Sequence, residues 1–296
     1  MRSCAFLSMD SLDGFYSYDR LAFEPLRELG WKTEEVSWRK QNVNWNQYDA
    51  VVIRTTWDYQ SAPEAFMQVL EDIEKSSAQL ENSLDLVRWN LSKTYLKQLE
   101  EKGIAIVPTL WGEPTSTDTS ISFDLAQLQK WKIDLATKEL IVKPVISANA
   151  DHTYRIAASL PEQELHEIGK AFEQRAFMVQ PFLESIVAEG EYSLFFFGGN
   201  YSHTVLKRPK AQDFRVQEEH GGRISAITPE QEVLNTAYQV MEAIQPQPLY
   251  ARVDLVRDKE GRFVLMEVEL IEPSLYFEYS TASPSLFAQA LNNSIR

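Results

Sequence analysis

YARVDLVRDKEGRFVLMEVELIEPS, residues 250–274, decides how the chain is read. Val253, Leu255 and Phe263–Met266 are apolar strand residues, and Asp258-Lys-Glu-Gly261 is a turn that ends on glycine, so the stretch predicts a β-hairpin. Asp254, Glu267 and Glu269 interrupt it. Side chains alternate faces along a strand, so Glu267 and Glu269 share one face, and a closed turn brings Asp254 near them. Acids grouped on an apolar sheet are costly unless a cation meets them. Their hard oxygens suit Mg²⁺ bound together with substrate phosphates. The plain alternative is a hairpin whose acidic face is solvated.

Upstream, Thr228-Pro-Glu-Gln231 predicts the cap of a helix carrying Val233, Leu234, Ala237, Val240, Met241 and Ile244. Before it, Glu191–Phe197 and Tyr201–Leu206 flank Gly198-Gly-Asn200, a strong hairpin signal. Between these lies LKRPKAQDFRVQEEHGG, with Lys207, Arg208, Lys210 and Arg215 close together. In a chain of net charge −14 that cluster is either an anion site or a solvated charged loop. Further back, AFMVQPFL (176–183) and ELIVKP (139–144) predict strands. Lys143, in the middle of an apolar strand, wants an anion unless its stem snorkels to the surface. The loop Ser147–Thr153 that follows is small and polar enough to wrap phosphates with backbone N–H groups. Asn90–Lys102 predicts one helix ended by Gly103, Ile104–Thr109 a strand, Phe123–Ile133 a helix and Tyr154–Ile156 a short strand. Ser159-Leu-Pro-Glu162 predicts the cap of another helix.

The first 75 residues alternate strand and helix: CAFLSM (4–9), Asp19–Leu29, Lys32–Ser37, Ala50–Arg54, then a helix capped by Ser61-Ala-Pro-Glu64. This pattern predicts a small α/β domain with a parallel sheet, whose ligands sit beyond the carboxyl ends of the strands. Arg54, Trp57, Asp58 and Tyr59 fall at such an end. They make a pocket for a small charged substrate, or else the aromatics cover the sheet edge and Arg54 pairs with Asp58.

The whole chain has 296 residues, is 44% hydrophobic and 24% charged, and contains one cysteine, Cys4. An acidic chain lacks the basic footprint that nucleic acid or a membrane surface needs as a general partner. A single cysteine excludes an internal disulfide and a cysteine-rich metal site. No apolar run is long enough for a membrane span or a signal core, so a cytoplasmic protein is expected. His152, His166, His203 and His220 lack metal-ligand spacing. No GxxxxGK[ST] loop or GxGxxG fingerprint occurs.

From about Asn90 to Ser274 the motifs, in order, resemble the ATP-grasp superfamily, specifically its ribosomal-protein glutamate ligase and glutathione-synthetase-like branch. The resemblance implies an ATP-grasp fold, two α+β lobes clasping ATP, preceded by a small Rossmann-like parallel-sheet domain. The expected division is 1–88, 89–182 and 183–296. Lys93 and Lys143 are implied as the ATP lysines, with Ser147 in the phosphate loop. Gln180, Phe182 and Leu183 are implied at the adenine hinge and Glu191 at the ribose. Asp254, Glu267 and Glu269 are implied as ligands of one or two Mg²⁺, with Mn²⁺ as a substitute. Arg252, Arg215 and Lys207 are implied as catalytic cations, and Arg54, Trp57, Asp58, Tyr59 and Arg215 as the wall for an amino-acid-like substrate. The WDY segment and VELIEPSLYF are similar to the cyclising ligases of the D-cycloserine type. Three departures stand out: Glu269 in place of Asn, Glu269-Leu-Ile-Glu-Pro-Ser274 in place of Asn-x-Ser-Pro-Gly, and a phosphate loop poor in glycine. The implied activity is ATP-dependent ligation of a carboxylate and an amine through an acyl phosphate. Ring closure within one substrate, or a nucleotide-binding regulator without turnover, are the alternatives. A homodimer is compatible with either.

Overall fold

A computed structural model describes residues 1–115, 123–147, 151–157, 160–211 and 213–295. The Ser/Thr-rich stretch at 116–122, the centre of the expected phosphate loop at 148–150 and the expected cap at Ser159 lie outside the described residues.

Three sheets carry the chain. The first holds β1 (Arg2–Ser8), β2 (Trp31–Ser37), β3 (Ala50–Thr55) and β4 (Gln79–Glu81), all parallel, in the order β2-β1-β3-β4. The second holds β5 (Leu110–Gly112), β6 (Leu140–Pro144), β7 (Tyr154–Ile156) and β8 (Phe177–Pro181), antiparallel, in the order β5-β8-β6-β7. The third holds β9 (Glu191–Phe197), β10 (Asn200–Arg208), β11 (Arg223–Ile227), β12 (Tyr250–Arg257) and β13 (Phe263–Glu269), antiparallel, in the order β11-β10-β9-β12-β13. Nine α-helices are described: α1 (Phe23–Glu28), α2 (Pro63–Glu74), α3 (Leu84–Asn90), α4 (Tyr95–Glu101), α5 (Leu125–Asp134), α6 (Glu162–Lys170), α7 (Glu184–Ala188), α8 (Gln231–Ala243) and α9 (Ser283–Ser294). None is long and apolar enough to cross a membrane among the described residues.

Period-two patterning places the cores. In β1, Ala5 and Leu7 pack with Phe66, Leu70 and Ile73 of α2, while Cys4 and Phe6 point the other way. There they meet Phe195, Phe197 and Tyr250 of the third sheet and Phe287 and Leu291 of α9. The opposite face of the third sheet packs on α4 and α8 through Leu194, Phe196, Leu96, Leu99 and Val240. The third sheet is therefore a shared wall, buried on both faces. Gly198 and Gly199 both take positive φ, 52° and 76°, which the tight β9–β10 turn requires and a side chain would resist.

Several expected elements differ. The helix expected over 90–102 is broken: α3 and α4 are separated by four residues, because the Lys93 N–H bonds the distant Val145 carbonyl at 2.7 Å. The strand expected over 104–109 is a single bridge between Ile106 and Leu265, followed by short β5. Ser61 and Thr228 are not caps; α2 begins after Ala62, with Pro63 in its first turn, and α8 begins after Glu230. Short β4 and β11 and helix α7 carry too little apolar pattern to be read in advance.

Candidate active site

A deep cleft lies where the second and third sheets face each other, and the loop after β3 closes one end of it. It encloses about 1540 Å³, open mouth included.

The acidic hairpin forms its floor. Register places Asp254 opposite Glu267 and Arg252 opposite Glu269, with an irregularity just after Asp254. β13 is an edge strand, and side chains take the place of a further strand along part of it. The Tyr95 hydroxyl accepts from the Val268 N–H at 2.9 Å and donates to its carbonyl at 3.0 Å. The Asn90 amide accepts from the Leu270 N–H at 2.8 Å and donates to the Val268 carbonyl at 2.9 Å. These bonds satisfy buried backbone groups that would otherwise be costly, and they fix the residue between the two glutamates.

Each of the three acids meets a cation. Lys93 Nζ lies 2.8 Å from Glu267 and donates to the Ser147 carbonyl at 2.8 Å. Arg252 holds Asp254 at 2.9 Å and also bonds Glu269. Lys207 Nζ lies 2.7 Å from Glu191 and 3.5 Å from Asp254. The Ser193 hydroxyl donates to Asp254 at 2.5 Å. Burial opposes ionisation at all of these acids. At Asp254 the cations Arg252 and Lys207 overcome it, and at Glu267 the cations Lys93 and Lys143 do, so both carboxyls titrate below their ordinary range. At Glu269 burial wins over the pull of Arg252, with repulsion from Glu267 and Asp254 adding to it, and the carboxyl is pushed up to about 7. Burial also raises Glu191, against the pull of Lys207.

The facing wall comes from the second sheet. Ile141 and Lys143 share one face of β6, and both line the cleft. The nearest recorded partner of the Lys143 ammonium is the Met266 sulfur at 3.9 Å, and it enters no ion pair within 4.0 Å among the described residues. Burial pushes it below the ordinary lysine range, partly countered by Glu267 and reinforced by Lys93. Leu183, Ile186 and Met266 add an apolar slot. Gln180 lines the cleft, but its amide is held by the Thr109 hydroxyl at 3.0 Å. Phe182 corrects an expectation. Its N–H is taken by the Glu139 carbonyl at 2.9 Å, and its ring stacks under the Arg155 guanidinium at 3.7 Å, outside the cleft lining.

The substrate wall changes more. Trp57 and Tyr59 reach the cleft, whereas Arg54 and Asp58 do not line it. Arg54 is 1% exposed. Its guanidinium pairs with Asp19 at 3.2 Å, donates to the Pro273 carbonyl at 2.7 Å and sits over the Tyr250 ring. Asp58 accepts from the Trp38 indole at 2.7 Å and pairs with Arg39 at 2.7 Å. The alternative pairing of one with the other does not hold, and both side chains are engaged away from the cleft that the substrate role expected them to face. Arg215 lines the cleft with its guanidinium on Asp213 at 2.9 Å.

Sequence reasoning missed Glu272. It lies in the segment that departs from the family pattern, and its side chain lines the cleft. The Trp57 indole donates to its carbonyl at 2.8 Å, and Tyr59 stands near its carboxyl. Burial, with Glu269 nearby, pushes that carboxyl up to about 8. Ile141, Ile186 and Met266 were also missed, although Ile141 stands two residues before Lys143, where strand alternation could have drawn attention to it.

Mg²⁺ usually takes one or two carboxylates together with phosphate oxygens, not an all-protein cage. The donor chemistry here fits that: hard carboxylate oxygens on paired strands, one of them directly opposite another. Among the described residues no three acids or histidines converge as a ready-made metal cage.

Comparison with known proteins adds three findings. The sequence model of the prokaryotic glutathione synthetase ATP-grasp domain matches residues 107–278, and that of the D-cycloserine synthetase N-terminal domain matches residues 4–82. A cycloserine biosynthesis protein of Streptomyces lavendulae is 28% identical over 280 residues, covering 90% of each chain. Among solved structures, that of D-cycloserine synthetase aligns with a TM-score of 0.84 and 26% identity, over 99% of this chain and 100% of the other. D-alanine–D-alanine ligase from Bacillus anthracis, complexed with ATP, shares the fold at a TM-score of 0.66 and 14% identity, over 99% of this chain and 97% of the other.

Proposed function

Because this chain belongs to the ATP-grasp family of prokaryotic glutathione synthetase, enzymes that use ATP and Mg²⁺ to form C–N bonds, we propose that it is an ADP-forming ligase acting on a small amino-acid-like carboxylate. The observation that carries this reading is the floor of the cleft, where Asp254, Glu267, Lys93, Lys207 and Arg252 meet beside the half-buried Lys143. In this reading residues 89–182 and 183–296 clasp the nucleotide, and 1–88 supply the substrate side. The buried free thiol of Cys4 suits a cytoplasmic setting.

Lys93 and Lys143 hold the phosphates, and Ile141, Leu183, Ile186 and Met266 cover the base. Gln180, Glu191 and Ser147 shape the rest of the nucleotide site. Asp254, Glu267 and Glu269 would hold Mg²⁺, which when bound neutralises phosphate charge. The substrate carboxylate attacks the γ-phosphorus, ADP departs, and the acyl phosphate forms. A nitrogen then attacks the acyl carbon, phosphate leaves with the bonding electrons, and the nitrogen gives up a proton. Arg252, Lys207 and Arg215 offset the negative charge that builds on the transferred phosphoryl and the acyl oxygen. No protein nucleophile is needed, because positioning accounts for the gain.

A second reading keeps these steps and takes the attacking nitrogen from the same substrate, closing a ring. The match of residues 4–82 to the D-cycloserine synthetase N-terminal domain favours it. ADP release with a panel of amino acids and hydroxylamine-type analogues, followed by mass spectrometry of the products, tests both. Loss of water from one substrate marks ring closure. A joined pair marks intermolecular ligation. Absence of any substrate-stimulated ADP release would sink the ligase reading.

A further inference from the structure

The hairpin acids on the cleft floor are each matched by a cation; Glu272, like Glu218 and Glu219 elsewhere in the lining, is not. It is 8% exposed, lines the cleft, and enters no ion pair within 4.0 Å among the described residues. Lys93, whose field reaches it, is committed to Glu267 at 2.8 Å. Arg215 is committed to Asp213. What surrounds Glu272 instead is aromatic and acidic. Tyr59 stands near its carboxyl, and the Trp57 indole donates to its backbone carbonyl. Tyr276 and Glu218 also line the cleft, and Glu218 accepts from the Tyr18 hydroxyl at 3.2 Å.

A carboxyl buried without a counter-ion is costly to ionise, and a cation supplied by a ligand removes the cost. Aromatic faces beside an acid are the surroundings that attract ammonium groups. Resting on the ligase reading above, we infer that Glu272 receives the protonated amine of the substrate, and that Trp57, Tyr59 and Tyr276 form the aromatic wall around it. Glu272 is thereby a specificity-determining residue: the enzyme takes amino acids with a free amine and rejects their N-acylated forms. The orientation follows from the same layout. The carboxylate that becomes the acyl phosphate points toward Lys93 and the floor acids, and the amine points toward the N-terminal domain. Burial supports the assignment, since it keeps the Glu272 carboxyl protonated to about pH 8 until a cation arrives.

The test is calorimetry on the full chain loaded with ADP and Mg²⁺. It uses the protein amino acids in both hands, each binder being paired with its N-acetyl derivative. Wild-type protein should bind one or more free amino acids and lose at least tenfold in affinity for the matching N-acetyl forms. Glu272→Gln should lose at least tenfold for the free amino acid while keeping ADP affinity within twofold. The ADP titration shows that the variant is folded. Equal affinity for free and acetylated forms overturns the inference, as does full amino-acid affinity in Glu272→Gln. So does ADP binding with no binding of any free amino acid. Failure of wild-type protein to bind ADP would instead remove the ligase reading on which the inference rests.

Discussion

Lys143 sits half-buried in the cleft wall with a thioether as its nearest recorded partner. In the proposed ligase its partner is a phosphate. Hydrogen bonds to charged groups are worth ~1.5–3 kcal/mol, so Lys143→Ala should weaken ADP binding by about 10- to 100-fold. Nucleotide calorimetry checks this, and unchanged affinity would leave the ammonium without a role. Asp254→Asn and Glu267→Gln should abolish turnover while leaving far-UV circular dichroism unchanged; near-full activity in either would remove that acid from the metal set. Glu272 also has a signature in stability. The folded carboxyl keeps its proton to about pH 8, whereas its ordinary value is 4.5. Between these the folded state binds more protons, so this group's contribution to stability falls as pH rises from about 4.5 to about 8. The facing groups are Tyr59, Glu269, Glu267 and Lys93. Thermal melts of the metal-free protein should show a shallower fall across that window in Glu272→Gln, and parallel curves would contradict the assignment. That Glu267 and Glu269 share a face, with Asp254 near them, could be read from strand alternation and the glycine turn. Where the arginine at the end of β3 points could not, because its partners Asp19 and Pro273 lie 35 and 219 residues away.

At the scale of the element, the edge of β13 matters most. Tyr95 and Asn90 supply to Val268 and Leu270 the bonds that a sixth strand would have made. Tyr95→Phe leaves the Val268 N–H and carbonyl with fewer partners, and a buried polar group left unpaired costs ~1–3 kcal/mol. The urea midpoint should fall accordingly at unchanged slope, and an unaltered midpoint would mean that water or Asn90 replaces the hydroxyl. This edge also explains two misread elements. Periodicity across 90–102 is continuous, so nothing local announces that α3 and α4 separate to place Lys93 between them. The break is imposed by Val145, a partner outside the segment. Residues 104–109 look like a strand because Ile104, Ile106 and Val107 are buried, yet they meet β13 at only one bridge. By contrast, the β9–β10 and β12–β13 hairpins were legible, since alternation and glycine turns are written in adjacent residues.

For the whole molecule, the N-terminal sheet is not a separable unit. One face of β1 and β3 is completed by Phe195, Phe197 and Tyr250, and Arg54 ties the end of β3 to Pro273. Removing one member of a buried ion pair costs ~3–5 kcal/mol, because the partner is left uncompensated. Arg54→Ala should therefore lower the melting temperature and weaken nucleotide and amino acid alike, with Asp19 left buried and alone. A selective rise in the amino-acid KM with normal stability would return Arg54 to the substrate site. For the same reason residues 1–88 expressed alone should aggregate, with Phe6 and Val52 uncovered; a soluble fragment with a cooperative melt would show that the shared core is dispensable. The alternation of strands and helices made the α/β class of this part legible, but not its dependence on the third sheet, since that contact joins segments more than a hundred residues apart.

The paired charges on the cleft floor have a consequence for solution conditions. Lys93, Lys207 and Arg252 are already satisfied by the protein's own carboxylates. In the proposed ligase, entry of a magnesium nucleotide would then be an ion exchange: phosphates would take over the cations as the metal took over the acids, and little net charge would be drawn from the bulk. A cleft of bare lysines and arginines would hold a cloud of small anions and release it on binding, giving steep sensitivity to ionic strength. Here the dissociation constant for magnesium-bound ADP should change only gently as potassium chloride is raised, and a steep rise would mean that the cations stand free in solution.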